Sequence, residues 1–123
     1  MICDDDKELA AELVSALCAA RHAAMTCQHT MDVLRDAAEG RFDLIVFGLD
    51  MAGFGGGNAI EAINELAPEV SLIGLHKRPS EILNTPAHAR LAAILPRPVA
   101  INTFMYAVSR ALKAREMRVS LVA

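Results

Sequence analysis

Four places along the chain carry side chains able to do chemistry. Asp4-Asp5-Asp6 sets three carboxylates in a row straight after the apolar Met1-Ile2-Cys3. Grouped carboxylates can hold a hard divalent cation such as Mg²⁺ through oxygen ligands. Gly48-Leu49-Asp50 follows the apolar run Leu44-Ile45-Val46-Phe47 and puts a carboxylate two residues past a glycine. His76-Lys77 follows the apolar stretch 70–75, and Arg97-Pro98 follows 92–95. The first offers an imidazole. The second offers a guanidinium whose planar fork grips carboxylate or phosphate oxygens.

Other residues carry less. Gly53–Gly57 precedes a helix and could cradle an anion through backbone N–H groups, but it lacks the Lys-Ser/Thr of a P-loop, so it reads as a plain loop. His22, His29, His76 and His88 show no metal-ligand spacing. Cys3, Cys18 and Cys27 make an odd count without a Cys-x-x-Cys. That indicates neither a disulfide framework nor a zinc site. Cys18 reads as core, and Cys3 and Cys27 as strand thiols.

Composition excludes whole classes. The 123 residues fit one domain, and 54% hydrophobic against 22% charged residues excludes disorder. Lys and Arg number 12 against 15 Asp and Glu, a net charge of −3. That balance argues against nucleic-acid binding. No apolar run reaches the roughly 18 residues of a membrane span, and the acidic start is the reverse of a signal peptide. A cytoplasmic protein is expected.

The elements that must position these residues alternate. Met1–Cys3 is a short strand. Lys7–Ala20 is a helix with Leu9, Leu13 and Leu17 at helical spacing and Asp6 as its cap. A weak strand is expected within His22–Cys27, then a helix over Met31–Glu39 capped by Thr30 and stopped by Gly40. Leu44–Phe47 is the clearest strand, apolar throughout as in a sheet buried on both faces. Asn58–Leu66 is helical, Val70–Leu75 a strand, Pro79–Arg90 a helix shortened or kinked by Pro86, and Ala92–Leu95 a strand. A last helix starts at Ala100 or Asn102 and reaches about Ala114. The segment Arg115–Ala123 is left as a tail. Strict alternation implies a parallel sheet with helices on both faces, and such sheets gather functional groups at the carboxyl ends of their strands.

Those strand ends resemble the receiver domain of bacterial response regulators, from Ile2 to about Lys113. The resemblance rests on Asp4-Asp5-Asp6 closing the first strand, on Asp43–Phe47 followed by Met51-Ala52-Gly53 where the family has Met-Pro-Gly, on the polar end of the fourth strand, and on Arg97-Pro98 where the family has Lys-Pro. It implies a flavodoxin-like α/β fold, (βα)5, doubly wound and three-layered, with the domain at 1–114 and a tail at 115–123. It also implies a site for phosphoryl transfer to a carboxylate, in which acids hold a metal ion and a cation and a hydroxyl bind the transferring oxygens.

The departures define the expected function. The acceptor position holds Gly48, which has no carboxylate to phosphorylate. His76 stands for the usual Ser or Thr, Arg97 for Lys, and Ile94 for the aromatic switch residue. Asp4 and Asp5 remain as a degenerate acidic site, requiring no cofactor and at most weak for Mg²⁺. Asp50 could serve as a shifted acceptor, although a solvated loop residue is the favoured reading. His76 is expected to fill the emptied pocket or to bond Asp50, and Arg97 to pair with Asp4, Asp5 or Asp50. The resemblance thus implies a non-enzymatic pseudo-receiver of a two-component or phosphorelay pathway. It would act by contact with a histidine kinase, phosphotransferase or other regulator, because the tail is too short for a DNA-binding module. The rivals are a working receiver phosphorylated on Asp50 and a small ligand- or flavin-binding protein of the same fold. Met105-Tyr106 on the last helix reads either as core or as a partner surface.

Overall fold

The computed structural model describes residues 1–27, 29–50, 57–83 and 85–122. The apolar runs become strands and the intervals become helices. In order these are β1 (Ile2–Cys3), α1 (Lys7–Ala19), β2 (Thr26–Cys27), α2 (Thr30–Ala38), β3 (Leu44–Gly48), α3 (Gly57–Leu66), β4 (Ser71–His76), α4 (Ser80–Leu83), a 3-10 turn (Pro86–Arg90), β5 (Ala93–Pro96) and α5 (Ile101–Val122). All strand pairings are parallel, in the order β2-β1-β3-β4-β5. This is the doubly wound, five-stranded parallel sheet that the alternation implies.

Successive strand residues face opposite sides, so one continuous apolar run feeds two cores. From β3, Ile45 and Phe47 join Cys3, Val33, Ile60 and Ile63 beneath α2 and α3. Leu44 and Val46 join Ile2, Leu13, Leu17 and Phe104 beneath α1 and α5. Aromatics are scarce, and among the described residues each face has one fully buried Phe: Phe47 on the first, Phe104 on the second.

Several boundaries differ from the sequence reading. The last helix does not stop at Ala114 but continues to Val122. No Gly or Pro interrupts 99–123, and two arginines tie the extension to the sheet. Arg115 pairs with Asp43 at 3.1 Å. Arg118 donates to Ser71 Oγ at 2.7 Å and to the Glu69 carbonyl at 3.2 Å. The buried Ser71 hydroxyl donates in turn to the Ala111 carbonyl at 2.8 Å. The strand expected within His22–Cys27 shrinks to two paired residues. Thr30 is the first helical residue of α2 rather than its cap, and Gly40 adopts φ +69° past the helix end, where glycine carries no Cβ penalty. Cys18 is exposed rather than core. The seam of α1 runs through Ala10, Leu13 and Leu17, and Cys18 lies one helical step off it. Pro86 breaks the 79–90 segment into α4 and the 3-10 turn, as expected. Asp6 caps α1, its carboxylate accepting from Leu9 N–H at 3.0 Å.

Among the described residues, Phe104 is the only aromatic in its core cluster. Phe104→Ala is therefore expected to cost about 3–5 kcal/mol, read as a lowered urea midpoint at unchanged slope.

Candidate functional site

In a sheet of order 2-1-3-4-5, connections leave in opposite directions between β1 and β3, and the crevice at their carboxyl ends is the preferred place for a site. Asp4 follows β1 and Gly48 ends β3 there, while His76 ends β4 and Arg97 follows β5. The topology brings four of the sequence candidates, with Asp50, to one end of the sheet.

The centre is an ion pair. Arg97 Nη2 bonds Asp4 Oδ2, and the same nitrogen lies 3.0 Å from Asp50 Oδ1. Arg97 Nε donates to both Asp50 oxygens, at 3.1 and 3.3 Å. The guanidinium thus bridges two carboxylates, which the single ammonium of a lysine cannot do with the same geometry. The Asp4 side chain is 0% exposed and that of Arg97 14%. The second Asp4 oxygen accepts from Asp6 N–H at 2.8 Å. Asp50 Oδ2 also accepts from Lys77 N–H at 3.0 Å. Partial burial acts to raise the Asp50 pKa, but the Arg97 and Lys77 hydrogen bonds outweigh it and hold the carboxyl below its ordinary 3.8. Partial burial likewise opposes the Arg97 charge, and Asp4 and then Asp50 more than restore it.

Gly48 is set by space, not by backbone freedom. A Cβ built there would stand 2.6 Å from Arg97 Nη2, closer still to Asp4 Oδ2, and 3.0 Å from Asp4 Cγ. The ion pair fills the volume that any side chain at 48 would enter. Gly48 and Arg97 are therefore sterically coupled: the forked cation at 97 reaches into the space that a glycine at 48 leaves open.

The remaining candidates fall outside this centre. Asp5 is exposed and outside the ion pair, so the expected Asp4–Asp5 acid pair is a buried Asp4 with a solvated neighbour. His76 does not bond Asp50. Its Nδ1 accepts from Arg78 N–H at 2.8 Å, and its Nε2 lies 4.0 Å from Glu81. Ile94 is half-buried on β5, in register with Gly74. Of the predicted Gly loop, 53–56 lie outside the described residues, as does Met51-Ala52. Mg²⁺ does not fit the residues present. Each oxygen of Asp4 and Asp50 already accepts a hydrogen bond or ion pair, and a metal would have to displace Arg97. Among the described residues, no group of three or more His, Cys, Asp or Glu could hold a metal ion. Sequence reasoning missed the Lys77 N–H as a clamp on Asp50, and missed that Gly48 and Arg97 are sterically coupled. The signal available was a glycine at one strand end and an arginine at another, Gly48 and Arg97.

No family model and no curated protein matches the chain. Solved structures do. An adenylate cyclase from Rhodopirellula baltica superposes with TM-score 0.85 at 18% identity, over 97% of this chain and 90% of that one. The fold is that of the response-regulator receiver domain. A receiver domain protein from Clostridium thermocellum gives TM-score 0.83 at 16% identity, over 94% of each chain. A CheY-like receiver domain protein from Methanospirillum hungatei gives 0.81 at 17%, over 95% of this chain and 94% of that one. Among the described residues, no helix is long and apolar enough to cross a membrane.

Two predictions follow from the geometry of this receiver-like site. Gly48→Ala is expected to cost about 1–3 kcal/mol by overpacking, and Arg97→Ala about 3–5 kcal/mol by stranding the buried Asp4 carboxylate. Because Arg97→Ala removes one of the two groups the new methyl would meet and unties the other, the Asp4 carboxylate, the double variant should lose less than the sum in urea denaturation. The second concerns pH. Asp50 has a folded pKa below its unfolded value, so its stabilising contribution is full above 3.8 and is lost as pH falls through the folded pKa. Wild type should be more stable than Asp50→Asn at pH 7, and the gap should close as acid is added below 3.8. A gap that stays constant into acid would contradict the assignment.

Proposed function

We propose that this domain is a phosphorylation-independent pseudo-receiver that works by protein–protein contact in a two-component-type signalling pathway. The observation that carries the reading is the Asp4–Arg97 pair standing where a side chain at 48 would have to be. In an intact site of this kind an acceptor carboxylate, a metal ion and a cation share that volume. In this domain Arg97 enters that volume and pairs with Asp4. Gly48 leaves no nucleophile at the acceptor position itself.

Asp50 is a poor substitute acceptor. Both its oxygens are engaged, its pKa is depressed, and a carboxylate held in an ion pair is a weakened nucleophile. The flavin-carrier rival meets Asp4-Asp5-Asp6 after the first strand, where a phosphate group would be repelled. The contact reading gains support from α5. Tyr106 is 64% exposed, with the Arg110 guanidinium 5.8 Å from its ring centroid, while its neighbour Met105 packs against the core. Exposed Tyr and Arg together are the residue types enriched at protein interfaces. The partner is a signalling protein such as a histidine kinase, a phosphotransferase or another regulator.

Intact mass after incubation with acetyl phosphate and Mg²⁺ tests the reading. No phosphoryl adduct is expected on wild type. An adduct that Asp50→Asn abolishes would make this a working receiver with a displaced acceptor. The reverse engineering is equally informative: the combined Gly48→Asp, His76→Thr and Arg97→Lys variant is expected to gain an alkali- and hydroxylamine-labile adduct under the same conditions.

A further inference from the structure

Cys3 and Cys27 are partners in the β1–β2 register. Both are buried, and both belong to the same core cluster beneath α2 and α3, so their side chains leave the same face of the sheet side by side. Adjacent strands lie about 4.7–4.9 Å apart, inside the roughly 4.4–6.8 Å Cα separation that a disulfide spans. The chain between them contains all of α1 and its turn, so only folding brings the two thiols together. We propose that Cys3 and Cys27 are a modification site, a thiol pair that a hydroperoxide converts to an internal disulfide joining β1 to the edge strand β2.

Entry is at Cys27. It lies on the edge strand, is 9% exposed against 0% for Cys3, and its thiol donates to the His29 carbonyl at 3.2 Å. Burial first, and then the neighbouring Cys27, push the Cys3 thiol up to about 12, so it stays protonated and does not compete with Cys27 for the peroxide; its place beside Cys27 in the register makes it the resolving group. The Cys27 sulfur attacks the peroxide O–O bond, which takes two electrons and leaves as an alcohol or water, giving the sulfenic acid. The Cys3 sulfur then attacks the Cys27 sulfur. An S–S bond forms, hydroxide leaves, and the Cys3 proton joins it as water. In sum, two thiols and one hydroperoxide give one disulfide, one alcohol or water, and one further water. Asp4 follows Cys3 directly, so the covalent tie reaches the residue that anchors Arg97. The inference is independent of the pseudo-receiver reading.

The test uses the Cys18→Ser protein, which removes the exposed thiol that would otherwise couple between molecules. Folded protein is treated with hydrogen peroxide, quenched in acid, denatured and alkylated. The expected product is monomeric, lighter by two hydrogens at this pair and without alkylatable thiol. Trypsin should release Met1–Lys7 linked to His22–Arg35, the link should be undone by a thiol reductant, and its rate should not depend on protein concentration. Two alkylated thiols after treatment, oxygen adducts on Cys27 with Cys3 still free, or a link only between molecules would each overturn the proposal and leave the pair as ordinary core packing.

Discussion

The buried charge on Asp4 constrains everything at this end of the molecule. A carboxylate with no solvent exposure must be matched, and Arg97 matches it. That single requirement fixes where the β5–α5 connection passes, draws in Asp50 as a second acceptor for the same guanidinium, and leaves no room for a side chain at 48. Such a pair contributes little net stability compared with an apolar replacement of both partners, yet removing either alone is costly. Its effect is therefore selective. It penalises arrangements in which the strand ends separate, and it holds the pocket in one state.

Sheet topology makes this arrangement available. Parallel strands in the order 2-1-3-4-5 deliver the ends of β1, β3, β4 and β5 to one edge, where short connections can present polar groups. The interior that supports them is aliphatic, with one buried Phe on each side, and α5 spans the sheet from Ile101 to Val122. In this domain Arg97 and its two carboxylates lie in the crevice, and α5 offers Tyr106 and Arg110 to solvent. The proposed role keeps the surface and discards the chemistry.

The sequence was legible where periodicity and strand ends speak locally. The run Leu44–Phe47, the cap at Asp6, the break at Pro86 and the polar residues at four strand ends all follow from residue type and spacing. It was less legible where the answer depends on what a residue meets across the fold. Arg115 and Arg118 look like the start of a polar tail until Asp43, Glu69 and Ser71 are beside them. Cys18 sits at a plausible core position, but the seam of α1 passes one step away. Asp4 and Asp5 look equivalent as neighbours, and the turn after β1 buries one and exposes the other. Arg97 was expected to pair with an acid here, but the bridging of two carboxylates and the steric reason for Gly48 needed coordinates.

The central claim is that Arg97 holds the space an acceptor and a metal ion would otherwise share. The most direct measurement is a titration of isotopically labelled protein with Mg²⁺ and beryllium fluoride, following the backbone amides of Asp4, Asp6, Gly48 and Lys77 by NMR. The account predicts that these signals stay in place throughout. Saturable shifts at those amides would show that a metal and a phosphoryl analogue enter the crevice, and would contradict it.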